Sequence, residues 1–362
     1  MACLSTLWVS TMITIILADD THEAPWDAYV KSHPHASVYH CYAFKKAVEK
    51  TYGHQGLYLA AHDEGSSRFV GVMPLFYVAG LLFGKSIVSL PFCDYGGMLY
   101  NEEQTGRLLR QKALELLHDK KCDVLELRQT FPLSFVLPDA EHDEIITAKV
   151  RMKLTLPASG EALFNSFPAK LRSQIRKPQK EGCTVRHGGI ELLDDFYSVF
   201  VYNMRDLGSP VHPKKMMANM LRFYGPSARL FVVYKEGVPI GCSLVAGLNS
   251  SLVNPWASFN KNYRACAPNM LLYWSMMEYA MANGYTTFDF GRSTKDEGTY
   301  RFKEQWGAMP EPLYWYYHYR REKPLLQSGS GKNKKRFIAV WQKLPLGVTR
   351  VIGPILRKQI PL

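Results

Sequence analysis

Thr287-Phe288-Asp289-Phe290-Gly291-Arg292 and Val124-Leu125-Glu126-Leu127-Arg128 are two versions of one phrase. Each is a short β-prone run that ends acid, apolar, arginine, with Gly291 inserted in the second. Side chains alternate across a strand, so Asp289 faces away from Phe288 and Phe290. Working backwards from these two strands, the same order of elements appears twice. In the first half, residues 57–61 read as a strand, 62–65 as a turn and 69–78 as a second strand. A glycine-rich loop, Asp94-Tyr95-Gly96-Gly97, leads to a helix over 104–118 with Leu108, Leu109, Leu116 and Leu117 on one stripe. In the second half, 230–234 and 238–248 are strands around a Lys235-Glu236-Gly237 turn. A loop carries residues 260–269, and a helix over 268–283 stops at Gly284. The pattern predicts an α/β protein of two similar units, in which helices cover a mixed sheet and strand ends stay open for a ligand.

Bulk properties agree. A chain of 362 residues exceeds what one core normally serves. The expected division is 1–150, 151–320 and a tail over 321–362. The formal charge of +12 is concentrated in that tail, which holds ten Lys/Arg and one acid. The rest of the chain carries 34 basic and 31 acidic side chains, which argues against a nucleic-acid-binding core. Seven widely spaced cysteines without a C-x-x-C read as reduced thiols of a cytoplasmic protein. No His/Cys/Asp cluster has metal-ligand spacing, so no metal is expected. Ile13, Ile15 and Leu17 fit an opening strand rather than a signal peptide, and Met1 and Met12 are both open as starts.

Several stretches then carry a resemblance. They include Leu171-Arg172-Ser173-Gln174-Ile175-Arg176-Lys177 and Asn203-Met204-Arg205-Asp206-Leu207-Gly208-Ser209-Pro210-Val211-His212. Asp289-Phe290-Gly291-Arg292-Ser293 and Tyr300-Arg301-Phe302-Lys303 with Trp306-Gly307 follow in order. Together with Asp94-Tyr95-Gly96-Gly97, Ser89-Leu90-Pro91-Phe92 and the tail's Leu344-Pro345-Leu346, they resemble FemAB-like proteins of the GNAT superfamily. The branch most similar is the one associated with exosortase (PEP-CTERM) and exopolysaccharide loci. The resemblance implies tandem GNAT-like domains. It also implies transfer from acyl-CoA or aminoacyl-tRNA to an amine of a saccharide or peptidoglycan precursor, which in this setting can be lipid-linked. Pro178, directly after the basic pair Arg176-Lys177, departs from a regular helix and is expected to kink or end it.

Acyl transfer by direct attack requires a deprotonated amine, proximity and oxyanion stabilisation, but no nucleophilic side chain. The absence of a G-x-S-x-G elbow fits. Asp289 is the first candidate for an acid that orients or deprotonates the amine, with Arg292 beside it; a simple Asp289–Arg292 ion pair is the competing explanation. The superfamily's pyrophosphate loop matches Arg264-Ala265-Cys266-Ala267-Pro268-Asn269, with Ala267 in place of the first glycine. Arg264, Ala267 and Asn269 are therefore donor candidates at a helix start. Lys170, Arg172, Arg176 and Lys177 form a basic helix face for phosphates or for solvent. Arg205, Asp206 and His212 lie in a Gly/Pro-rich region, and Lys303 is placed to reach a cleft. The tail mixes lysines and arginines with Phe337, Val340, Trp341, Val351 and Ile352. It fits either peripheral contact with the inner face of a membrane or a helix packed on the body. A non-catalytic module that holds a lipid-linked saccharide is the alternative function, and RNA binding through the tail is a third.

Overall fold

A computed structural model describes residues 12–80, 84–136, 142–321 and 331–360. The second half is built on a seven-stranded sheet. Its order is Cys183–Gly188, Ala228–Lys235, Val238–Leu248, Ser251–Phe259, Thr287–Thr294, Lys149–Thr155 and Met309–Pro312. Neighbours run antiparallel except Ser251–Phe259 with Thr287–Thr294, which are parallel. The first half divides its strands between a four-stranded and a six-stranded sheet. There, Gly84–Val88 runs parallel to Val124–Gln129. The two parallel pairs have matching registers of three residues. Ser86, Ile87 and Val88 face Val124, Leu125 and Glu126; Ser251, Leu252 and Val253 face Thr287, Phe288 and Asp289. In each half a helix, Glu103–Asp119 or Pro268–Ala282, precedes the closing strand. The tandem α/β arrangement read from the sequence is present.

The strand expected over 69–78 is instead two strands, Arg68–Met73 and Phe76–Gly80, which lie in different sheets. Pro74 stands at the break and has no N–H for a ladder. The strand Ser251–Phe259 was not identified from sequence, since Pro255 and Asn254 interrupt its apolar pattern. Pro178 does not end its helix: Ala169–Lys180 runs through it. Only two helical residues follow it, so little of the ladder depends on its missing donor. Tyr314–Tyr319 belongs by position to the second half but is hydrogen-bonded into the six-stranded sheet of the first, between Val124–Gln129 and Asp143–Ile146. Helices Gly331–Lys343 and Leu346–Lys358 form the tail.

The halves share their central core. Helix Tyr42–Tyr52 packs directly on Lys214–Tyr224, its counterpart in the second half. One apolar cluster runs from Trp26, Tyr42 and Tyr58 to Phe196, Phe200 and Leu230. Each half also has an outer core beneath its own sheet. Because the central cluster draws on both halves, we expect a single cooperative unfolding transition. Phe196→Ala should cost ~3–5 kcal/mol and move that one transition to lower denaturant, as followed by tryptophan fluorescence and circular dichroism together.

Candidate active site

Strands Ser251–Phe259 and Thr287–Thr294 pair only as far as Val253 and Asp289. Both continue beyond that point without pairing to each other, so the sheet opens there. Asp289 is therefore the last paired residue before the gap. It is 2% exposed. One carboxylate oxygen accepts from the Tyr95 hydroxyl at 2.5 Å, and the other from the Gly291 amide at 2.7 Å. Burial, and then the negative charge of Asp289, hold the Tyr95 phenol well above its ordinary value, so it keeps its proton and donates. Tyr95 comes from the first half; the bond crosses the seam.

On the same side of the sheet, the seam encloses a cavity of about 320 Å³. Lys31 and His35 of the first half line it, together with Tyr95, Asp289, Arg151 and Lys153. Lys153 lies opposite Asp289 in the strand register, after a bulge at residues 151–153. Arg151 and Lys153 share Glu311, at 2.6 and 3.1 Å. The Arg151 guanidinium also sits 5.3 Å from the centre of the Tyr95 ring. Burial opposes the charge of Arg151, but Tyr95, Asp289 and Glu311 outweigh it and keep the guanidinium charged. Burial, with Arg151 next, lowers the His35 pKa, so its ring is neutral at pH 7. The cavity lining thus offers three cations, Lys31, Arg151 and Lys153, against one carboxylate, Asp289.

Past Asp289 the strand turns at Gly291, whose φ of 74° is left-handed. Arg292 does not pair with Asp289. Its Nε meets Asp94 at 3.1 Å, and its guanidinium lies 5.1 Å from the Trp315 ring centre. The competing explanation of Asp289 as half of a turn-fixing ion pair is thereby overturned, because each residue is held by a different residue of the first half. Lys303 is buried, and its ammonium donates to the carbonyls of Gly291 and Arg292 at 3.1 and 2.7 Å. Desolvation brings its pKa down to about 8, against the pull of Asp94 and Asp289. Lys303 is thus brought onto the bend that separates Asp289 from Arg292.

The remaining candidates are dispersed. Arg264 is exposed, and Ala267 takes a left-handed φ of 50° just before Pro268 opens its helix. That is a conformation glycine adopts at least cost. Asn269 follows in the first turn. This loop lies past the C-terminal end of Ser251–Phe259, ~25 Å along the strand from the cavity's edge at ~3.3 Å per residue. Lys170, Arg172, Arg176 and Lys177 belong to a helix that buries Leu171 and Ile175 in the outer core, away from the cavity. Arg176 stacks 4.8 Å over Phe164. Arg205 pairs with Asp206, which also meets Lys261 at 3.0 Å. His212 is 1% exposed, bonded to the Tyr52 hydroxyl at 2.5 Å and packed against Phe92 and Trp256. Burial drives its pKa far down, so it stays neutral.

Sequence reasoning did not select Tyr95, Asp94, Arg151 or Lys153. The Asp94-Tyr95-Gly96-Gly97 loop was visible, but its partners lie nearly two hundred residues away. Among the described residues, no group of three or more His, Cys, Asp and Glu is placed to hold a metal.

Residues 165–304 match the acetyltransferase (GNAT) domain family. The chain is 27% identical over 101 residues to the lipid II:glycine glycyltransferase of Staphylococcus aureus, covering 26% of this chain and 24% of that protein. The chain therefore spans about a quarter of the length of the curated relatives it matches. The structure of FemX superposes with a TM-score of 0.64 over 87% of this chain and 99% of FemX, at 16% identity. A tandem GNAT protein from the clavulanic acid pathway gives 0.53 over 86% and 100%, at 12% identity. These two likenesses establish the tandem fold.

The Tyr95–Asp289 bond joins a buried phenol to a buried carboxylate across the seam. Tyr95→Phe should destabilise the protein by about 1–3 kcal/mol, measured by denaturant unfolding, while the secondary structure stays unchanged by circular dichroism.

Proposed function

Starting from a chain that carries a GNAT domain within a FemAB-like tandem fold, we propose an N-acyltransferase that moves an acyl or aminoacyl group onto an amine of a cell-envelope precursor. The donor is a thioester such as acyl-CoA or the ester of an aminoacyl-tRNA. The acceptor is a peptidoglycan precursor or an exopolysaccharide building block, lipid-linked in the setting this reading favours, at the cytoplasmic face of a membrane. The observation that carries the proposal is the opening of the sheet at Asp289, directly beside a cavity between the halves.

The parts suit direct attack. The donor lies in the gap between the diverging strands, with its polar end toward Arg264, Ala267 and Asn269 at the start of the following helix. The acceptor lies in the cavity, where Lys31, Arg151 and Lys153 attract phosphate or carboxylate groups. Asp289 holds the attacking amine and takes its proton as the new C–N bond forms. Tyr95 and the Gly291 amide fix the carboxylate for that task. Lys303 spends two donors on the carbonyls of Gly291 and Arg292. An ammonium has three, so one remains for the oxyanion that develops on the carbonyl under attack. The C–S or C–O bond of the donor then breaks, and the leaving group is protonated.

Donor class is read by thermal melting with acetyl-CoA, a longer acyl-CoA or an aminoacyl-tRNA. A true donor adds ~2.7 kcal/mol at a hundredfold excess over Kd. With the donor identified, Asp289→Asn should abolish turnover and leave donor-induced stabilisation intact; an unchanged rate removes the base assignment. Lys303 has a second signature. It is protonated below about 8 and loses its charge above it. The rate should therefore fall as pH rises through that value. Lys303→Met should remove that limb and lower kcat by ~10²–10³.

A further inference from the structure

The tail is fixed on the body by specific contacts. Trp341, Thr349 and Gly353 are buried. Gly353 lies so close to Val211 that a Cβ there would come within 2.9 Å of it, and Gly208 leaves the same kind of space for Ile338. Gln342 donates to the Asp206 carbonyl at 2.7 Å, and His54 donates to the carbonyl of Lys358 at 3.0 Å. Contacts thus reach both halves, and they determine which side of each helix faces out.

The outward side is apolar. On Leu346–Lys358 it presents Val348, Val351, Ile352 and Ile355, at the i, i+3, i+4, i+7 spacing of one helical face. Val351 is 67% exposed and Ile355 62%. Phe337 and Val340 are exposed on the preceding helix. Among the described residues, half of the exposed large apolar side chains belong to these two helices. A soluble surface seldom gathers apolar side chains in this way without something to cover them.

Charge indicates what covers them. Lys335, Arg336, Lys343, Arg350 and Lys358 are exposed on the same helices. Residues 331–360 contain no Asp or Glu. Asp206, whose carbonyl accepts from Gln342, has its carboxylate paired with Arg205 and Lys261. An apolar stripe on helices that carry exposed cations and no acid matches an anionic lipid surface, with the stripe in the acyl boundary and cations among headgroups. A protein partner would leave acids or hydrogen-bonding groups on the rim. Among the described residues no helix is long and apolar enough to cross a membrane, so the contact is one of lying on the surface.

We infer that the two tail helices form a docked platform that holds this protein on an anionic bilayer through Val348, Val351, Ile352 and Ile355. This deepens the reading of a lipid-linked acceptor, and it is tested separately from transfer. The full chain is mixed with vesicles of phosphatidylcholine alone or containing phosphatidylglycerol, and pelleted. Binding to the anionic vesicles is expected, weakening as salt rises. The double variant Val351→Asp/Ile355→Asp should lose at least tenfold in bound-to-free ratio while melting at the wild-type temperature. If it melts early, Phe337→Ser/Val340→Ser on the other helix serves instead. Absence of binding by the wild type, or undiminished binding by the variants, overturns the inference. So does concentration-dependent self-association in light scattering that the same substitutions abolish, since the face would then belong to a second copy of this chain. Transfer to a soluble amine should persist in the platform variants. Its loss in wild type and variants alike would count against the transferase reading and leave the platform standing.

Discussion

Two consecutive residues of the first half hold the working strand of the second. Tyr95 donates to Asp289, and Asp94 pairs with Arg292. Asp289 is nearly inaccessible to water, and a buried carboxylate is tolerated only when hydrogen bonds replace its solvation. Both of its partners are therefore structural necessities as well as positioning devices. Everything around the gap depends on this seam: the cavity, the bend at Gly291, and Lys303 resting on the carbonyls of that bend.

The two copies of the closing strand hold their acids differently. Glu126 and Asp289 occupy the same place, the third and last residue of a three-residue parallel pair. In the first half Glu126 meets Arg128 of its own strand at 2.8 Å, and Arg128 is fully buried, donating onward to the carbonyls of Leu90 and Cys93. That arrangement turns the acid and the arginine toward each other and braces the loop that delivers Asp94 and Tyr95. In the second half the acid and the arginine reach across the seam instead of toward each other. The acid is left beside a cavity and the arginine beside Trp315.

The charges are arranged with the same economy. Arg151 and Lys153 share one carboxylate, Glu311, and face the cavity with positive charge left over. Lys303 is buried deeply enough for desolvation to bring it down to about 8, close to neutral pH. An ordinary surface lysine would carry its charge with no such sensitivity. Its position on the carbonyls of Gly291 and Arg292 keeps that charge on the diverging strand rather than in solvent.

Local pattern alone determined the repeated order of elements, the closing strands and the helix starting at Pro268, because periodicity and punctuation are properties of adjacent residues. It also marked Asp289, Arg292 and Lys303, which sit at a strand end and in a distinctive short motif. It did not reveal the strand Ser251–Phe259, whose Pro255 breaks the apolar pattern, or the break at Pro74 that sends one expected strand into two sheets. The roles of Tyr95, Asp94, Arg151 and Lys153 were decided by tertiary structure only. Each acts through a partner far away in the chain, and nothing local distinguishes a tyrosine that will meet a buried carboxylate. The same holds for the tail. Its composition allowed either a packed helix or a membrane-facing one, and only the folded chain shows one side of the helices docked on Val211 and Asp206.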